Sequence, residues 1–298
     1  MSTSDSLRTG RRDVVIGAEL TVGAIGYGAM QLTGPQVWGP YPDHEGGIAL
    51  LRTVVDSGVT FIDTADVYGP HTNELLIREA LHPYPEGLVI ATKGGFVRGG
   101  FDYSTLGAVG NPNYLRQSAH TSARRLGVEQ IDLYYLHSGR AVDVPFADQV
   151  GTLAELREEG LIRHVGLSNV TLEQLREARE IVPVAAVTAL FNVGVRSGIG
   201  LLREAEDIGA VFSPWHPVSV GDGGEGPRLT EALRPIAERH EATVSQVAIA
   251  WLLGRSPAVL PIPGTRSVEH LRENLAAADV ELTAEEIAEI TALVPEDE

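Results

Sequence analysis

The sequence has no cysteine, an absence that excludes disulfides, thiolate catalysis and cysteine–metal centres together. No metal site is expected. Nor does any window approach the ~18 uninterrupted apolar residues of a membrane span, so a membrane is not an expected partner. Positive charge is scarce. A formal net charge of −17 and a pI near 4.9 disfavour nonspecific attachment to nucleic acid or an anionic surface. A local basic pocket for one anionic cofactor is still compatible with that balance. Residues 1–12, MSTSDSLRTGRR, carry no apolar run and lack the pattern of a signal peptide or an anchor. They are read as a disordered lead-in, and a cytoplasmic location is expected.

What is present is a regular alternation. Hydrophobic residues make up 43% of 298 positions, ample for a large core. Chains of this length are routinely single domains when they form α/β barrels, and one domain is expected over 13–298. Short apolar runs at 22–25, 59–62, 88–92, 131–136, 164–167, 184–189, 210–212 and 259–262 read as parallel strands buried on both faces. Amphipathic stretches at 47–57, 73–81, 113–126, 145–158, 172–179, 200–208 and 268–276 read as the helices between them. Thr171 opens a capping-box pattern, and glycines at 58, 127, 160 and 209 stand where helices should stop. The count predicts an α/β fold, a (β/α)8 TIM barrel. Stretches 243–253 and 283–293 are left over as two accessory helices, and 13–20 reads as an N-terminal β-hairpin plugging the floor. A doubly wound sheet is the rival. GAIGYGAM lacks the dinucleotide fingerprint such a sheet would carry after its first strand.

In barrels the C-terminal strand ends carry the chemistry. Here they present Asp63 and, on the following loop, Tyr68, then Lys93, His137, Ser168 and Asn169. Each has a plainer explanation alone: a helix cap, a solvated charge, a structural imidazole. Their convergence on one rim is what argues for a site. Asp63 cannot be buried alone without large cost, and Lys93 on the neighbouring strand is its natural partner. A lysine ~4 Å from a phenol would stabilise phenolate by roughly 4 kcal/mol at an effective dielectric near 20. Tyr68 is therefore expected to titrate below its usual range and to exchange a proton near neutrality, with His137 aiming a carbonyl oxygen at it.

These residues resemble the aldo-keto reductase superfamily. The likeness runs through GAIGYGAM, FIDTADVYG, ATKGGF, IDLYYLHS, IRHVGLSNV, FSPW and PIPGTRSVEHLRENLAA, in that order. GYGAMQLTGPQVWGP and GPHTNELLIREAL look like the bacterial branch that includes pyridoxal reductases. The resemblance implies a catalytic tetrad of Asp63, Tyr68, Lys93 and His137, with Tyr68 as general acid and hydride from a nicotinamide. It implies that Ser168 and Asn169 hold the carboxamide and that Phe212 stacks on the ring, within the run Phe212, Ser213, Pro214 and Trp215. Gly264, Thr265, Arg266, His270, Glu273 and Asn274 would grip the adenosine end. A guanidinium suits a 2′-phosphate, so Arg266 favours NADP(H).

Two positions depart from the family pattern. Thr188 replaces a glutamine that contacts the carboxamide, and Arg140 stands where many relatives carry aspartate. Arg140 is read either as a substrate or loop contact or as a surface arginine. Trp38, Phe96 and His216 are the substrate-contact candidates, and the glycine-rich run 221–226 could form a lid. The expected function is NADPH-dependent reduction of a small aldehyde or ketone. The alternatives are a cofactor-binding barrel without turnover and a lyase using a Schiff base on Lys93. The oligomeric state is not legible.

Overall fold

The computed structural model describes residues 13–221 and 224–296. The lead-in expected over 1–12, and part of the expected lid, lie outside the described residues. Val14–Ile16 (β1) and Leu20–Val22 (β2) pair antiparallel around Gly17 and Ala18, both at φ 60. Val14, Ile16 and Val22 are buried with Phe61, Val89, Leu133, Ala186 and Val211 in one cluster inside the barrel. The hairpin thus plugs the floor, as expected.

The wall is a parallel sheet. In chain order its strands are Tyr27–Gly28 (β3), Phe61–Asp63 (β4), Val89–Gly94 (β5), Ile131–Leu136 (β8), Ile162–Ser168 (β9), Val184–Leu190 (β10) and Val211–Trp215 (β11), each hydrogen-bonded to the next in that order. Between β5 and β8 a short antiparallel pair, Phe96–Arg98 (β6) and Leu106–Ala108 (β7), rises beside the mouth.

The expected eighth strand is extended but forms only a partial ladder. Leu260 N–H donates to Phe212 O at 2.9 Å and Gly26 N–H to Pro261 O at 2.9 Å, so it bonds both edges of the sheet and closes the barrel. Pro261 and Pro263 lack the N–H groups a full ladder needs. The expected first strand at 22–25 needs correcting. Val22 is used up by the hairpin, and Gly23 N–H turns to Thr60 Oγ1 at 2.8 Å. The parallel strand begins at Tyr27, in register with Ile62.

The helices are His44–Asp56 (α1), Thr72–Leu81 (α2), Pro112–Leu126 (α3), Phe146–Glu158 (α4), Leu172–Arg179 (α5), Ile199–Ile208 (α6), Gly226–Arg239 (α7), Val244–Arg255 (α8), Val268–Ala276 (α9) and Ala284–Ala292 (α10). The capping box at Thr171 is present, with its hydroxyl accepting from Gln174 N–H. The two expected accessory helices are α8 and α10. The sequence reading missed α7, because Pro235 lies inside it and a glycine-rich run precedes it. No described helix is long and apolar enough to cross a membrane.

Strand parity matters most for the site. Phe61 faces the interior cluster while Ile62 packs under the helices, so Asp63 returns to the inside. The same alternation carries Val89, Ala91 and Lys93 inward, then Leu133, Tyr135 and His137. At β11 it turns Val211, Ser213 and Trp215 inward and leaves Phe212 among the helices.

The closing seam leaves no room for a side chain: a Cβ on Gly28 would lie 2.7 Å from Ile262 O, which is backbone and cannot swing away. Gly28→Ala is expected to destabilise the protein by roughly 1–3 kcal/mol. Gly151→Ala, inside α4 with nothing within 4 Å, should instead stabilise by about 0.5–1 kcal/mol. Denaturant unfolding of both variants checks the pair, and equal shifts would contradict this account of the seam.

Candidate active site

Lys93 and Asp63 meet at the mouth. Asp63 aligns with Ala91 on the adjacent strand, so Lys93 stands two residues further along and reaches back. Lys93 Nζ donates to Asp63 Oδ1 and, at 2.8 Å, to Thr64 O. Both side chains are buried. Burial pushes the Asp63 carboxyl above its usual range, and the charge and hydrogen bond of Lys93 work against that rise.

Tyr68 follows on the β4–α2 loop, half-buried. Its ring centroid lies 5.3 Å from Lys93 Nζ and 6.0 Å from the His137 ring. The expected lowering of its pKa does not occur. Burial and the Asp63 carboxylate hold the Tyr68 hydroxyl well above the usual phenol range. The reasoning from Lys93 alone failed because Asp63 consumes that charge at closer range. A high pKa makes Tyr68 a phenol throughout the neutral range, a proton donor and not a base. His137 is buried just past the end of β8, its backbone N–H donating to Gly94 O at 2.8 Å. Burial, then Lys93 and Arg140, depress its pKa well below the usual imidazole range. It is neutral at pH 7.

A polar network fastens the Tyr68 loop from behind. Asp66 N–H donates to Lys93 O at 3.1 Å and His71 N–H to Asp66 O at 2.7 Å. Asp66 Oδ2 accepts from Ser118 Oγ at 2.5 Å, and Ser118 lies 3.0 Å from Tyr134 Oη. Buried Glu74 takes Thr92 Oγ1 at 2.6 Å and Arg125 Nε at 2.6 Å. Asn73 Nδ2 donates to Ala29 O and Leu32 O, tying the loop to the chain beyond β3.

The four residues open onto a cleft of about 450 Å³, whose other arc carries Ser168, Asn169, Thr188 and Trp215. Asn169, at φ 52, donates from Nδ2 to Ser168 Oγ at 2.9 Å and accepts from Trp215 Nε1 at 3.2 Å. Phe96 and His216 line the same cleft. Phe212 does not. It is fully buried against Phe191, with ring centroids 5.7 Å apart, and Trp215 is the aromatic side chain of β11 that reaches the cleft. Ser213 and Pro214 are buried beneath.

Trp38 stands outside this cleft, 5.2 Å from the Arg98 guanidinium on a side cavity of about 360 Å³. On the rim Gly264 O and Thr265 O accept from Gln31 Nε2 and Tyr27 Oη, while Arg266 and His270 are exposed. Glu273 accepts from Thr243 Oγ1 at 2.5 Å, and Asn274 is buried.

Sequence reasoning missed the apolar lining, Met30, Val67, Leu106 and Ile262, because no residue type marks a lipophilic wall. It also passed over one signal. Of the 23 Lys and Arg residues, Lys93 is the sole lysine.

A parallel barrel with a paired lysine, a protonated phenol and a neutral imidazole converging at its C-terminal mouth defines an α/β-barrel protein equipped for proton transfer. The chain belongs to the aldo/keto reductase family, whose model matches residues 24–295. It is 41% identical over 270 residues to the pyridoxine 4-dehydrogenase of Escherichia coli, covering 89% of this chain and 92% of that protein. It is 44% identical over 275 residues to an uncharacterized oxidoreductase of Schizosaccharomyces pombe, covering 91% and 87%. Among solved structures it is similar to an aldo/keto reductase from Klebsiella pneumoniae in complex with NADP and acetate. The TM-score is 0.78 at 26% identity, and the match covers 95% of each chain. The (β/α)8 fold and the family are therefore those expected from the sequence.

The Asp66 carboxyl is pushed up to about 7 by burial and by Glu74, against the Ser118 hydrogen bond and Arg125. The unfolded carboxyl loses its proton near pH ~4. Between those values the native state holds more protons, so stability falls as pH rises through the window. Asp66→Asn removes this titration and keeps an acceptor for Ser118. Relative to the parent, the variant should gain roughly 2–4 kcal/mol between pH 4 and pH 8. Guanidinium unfolding at both pH values measures it, and a pH-independent difference would refute the buried-carboxyl account.

Proposed function

We propose that this protein is an NADPH-dependent reductase of small aldehydes or ketones, with Tyr68 as the general acid. The observation that carries the reading is the placement of Tyr68 between the His137 ring and the Asp63–Lys93 pair, where burial favours the protonated phenol and the neutral imidazole. NADPH, when bound, supplies the hydride that adds to the carbonyl carbon. His137 hydrogen-bonds the carbonyl oxygen and orients it, and the Tyr68 hydroxyl delivers a proton to that oxygen as negative charge develops there. The product is the alcohol. Lys93, engaged by Asp63 and Thr64 O, adds positive potential near the oxyanion and is not free for imine chemistry.

The residues of the far arc fit a nicotinamide. Ser168 and Asn169 offer a preset hydroxyl and amide for a carboxamide, and Trp215 a flat face, with Phe212 backing the strand from the helix side. Thr188 is buried on the same arc and leaves room where a longer side chain would reach out. Arg266 carries no ion pair among the described residues and stands at the entrance to α9, with Gly264, Thr265, His270, Glu273 and Asn274 around it. That arrangement suits an adenosine carrying a 2′-phosphate, in keeping with the NADP held by the Klebsiella relative. The E. coli relative points to a pyridoxal-like aldehyde as the first substrate to try.

Two measurements test the reading. Tyr68→Phe keeps the ring and removes the proton, so NADPH binding should survive while turnover falls about 10²–10⁴-fold. A variant retaining more than about a tenth of the parent rate would assign the acid elsewhere. For the cofactor, titration against Trp215 fluorescence should show NADPH binding more tightly than NADH. Arg266→Ala should weaken NADPH by roughly tenfold and leave NADH nearly unchanged. Equal affinities in the parent would remove Arg266 from the phosphate site.

A further inference from the structure

Arg140 lies where the chain leaves β8 and passes His137, and its turn is fastened from several sides. Arg140 N–H donates to Ser138 Oγ at 3.1 Å, Gly139 N–H to Asn169 O at 3.4 Å, and Gln174 Nε2 to Gly139 O at 2.7 Å. Gln174 belongs to the capping box of α5, so the turn is anchored to a helix end. The side chain is placed as well. Its Nε donates to Ser138 Oγ at 3.2 Å, and its guanidinium carbon lies 5.4 Å from the centre of the Phe96 ring. That ring packs edge-on against His137, with centroids 4.7 Å apart. The guanidinium therefore stands one aromatic ring away from the imidazole, on the wall of the cleft.

The other cations nearby are spent. Lys93 is paired with Asp63, and Arg98 donates to the carbonyls of Gln36, Val37 and Phe101. Arg140 has no carboxylate partner among the described residues, and its two terminal amino groups bond to no other side chain there. In a chain of net charge −17, where carboxylates are plentiful, this cation stands exposed at the cleft wall with no carboxylate beside it among the described residues.

We propose that Arg140 recognises an acidic group on the substrate, and that the preferred substrates are small aromatic aldehydes or ketones carrying a carboxylate or phenolate about one ring width from the carbonyl. The inference rests on the carbonyl-reductase reading above. With the carbonyl at Tyr68 and His137, the aromatic body lies between Phe96, Leu106 and Trp215. Its acid then meets the guanidinium fork, which matches a carboxylate in two parallel hydrogen bonds. The discrimination has a second source. A neutral analogue covers the same guanidinium and strips its water but returns only a weaker, uncharged acceptor, which costs affinity.

The probes are 4-carboxybenzaldehyde and its uncharged methyl ester, methyl 4-formylbenzoate, assayed with NADPH against the parent, Arg140→Met and Arg140→Lys. In the parent, kcat/KM for the acid should exceed that for the ester at least tenfold, with the difference in KM. Arg140→Met should abolish that ratio, and Arg140→Lys should restore part of it. Equal values in the parent, or a loss in Arg140→Met that falls on acid and ester alike, overturns the proposal. If neither probe is reduced by any form, the failure concerns turnover of these probes and not the subsite. Quenching of tryptophan fluorescence by each probe then decides the subsite. Tighter binding of the acid that vanishes in Arg140→Met upholds it, and indifference to the charge overturns it.

Discussion

The site depends on one buried ion pair, Lys93 with Asp63. Burying two charges in a barrel mouth costs several kcal/mol per ion, and their attraction offsets this only when the remaining hydrogen bonds are also made. Here Thr64 O supplies one of them to Lys93. The pair leaves the cleft with a lysine ammonium whose charge is largely cancelled close by. Tyr68, further off, therefore feels burial and the carboxylate more than the cation, and stays a phenol. His137, buried beside both Lys93 and Arg140, stays neutral. The protonation states of the cleft follow from this balance.

The choice of lysine fits the same constraint. Every other cation of the Lys and Arg set is arginine. At position 93 the side chain runs up the inside of the barrel, between Asp63 and a carbonyl, within reach of the Tyr68 and Tyr135 rings. A compact ammonium fits there, and a planar five-donor fork would leave donors buried without acceptors. Behind the pair, Asn73, Glu74, Asp66 and Ser118 hold the loop that presents Tyr68. These side chains take partners from several elements, Asn73 from the chain beyond β3, Glu74 from β5 and α3, and Asp66 from α3, so the loop that carries the phenol is tied down by hydrogen bonds as well as by packing.

The barrel order, the family and the four rim residues were legible in the sequence because they rest on local pattern. Alternating apolar runs and capping signals place strands and helices, and period-two parity turns Asp63, Lys93 and His137 to one side of the wall. The same parity, followed along β11, would have put Phe212 among the helices and Trp215 in the cleft. The first strand was misplaced for a non-local reason: whether Val22 pairs in a hairpin or in the wall is settled by what lies across from it. Helix α7 was missed because Pro235 breaks the pattern while tertiary packing keeps Leu229, Leu233 and Ile236 buried.

The sequence by itself determined which residues stand at the barrel mouth and in what angular order, since strand count and parity are properties of the chain. Only the tertiary structure decided their electrostatic state. The pKa of Tyr68 depends on how deeply it is buried and on whether Lys93 lies nearer to it or to Asp63, and spacing along the chain contains neither quantity. The standing of Arg140 was decided in the same way. Arg140 is exposed and stands on the cleft wall at once, and spacing along the chain shows neither the Phe96 ring beneath it nor the lack of a carboxylate beside it among the described residues.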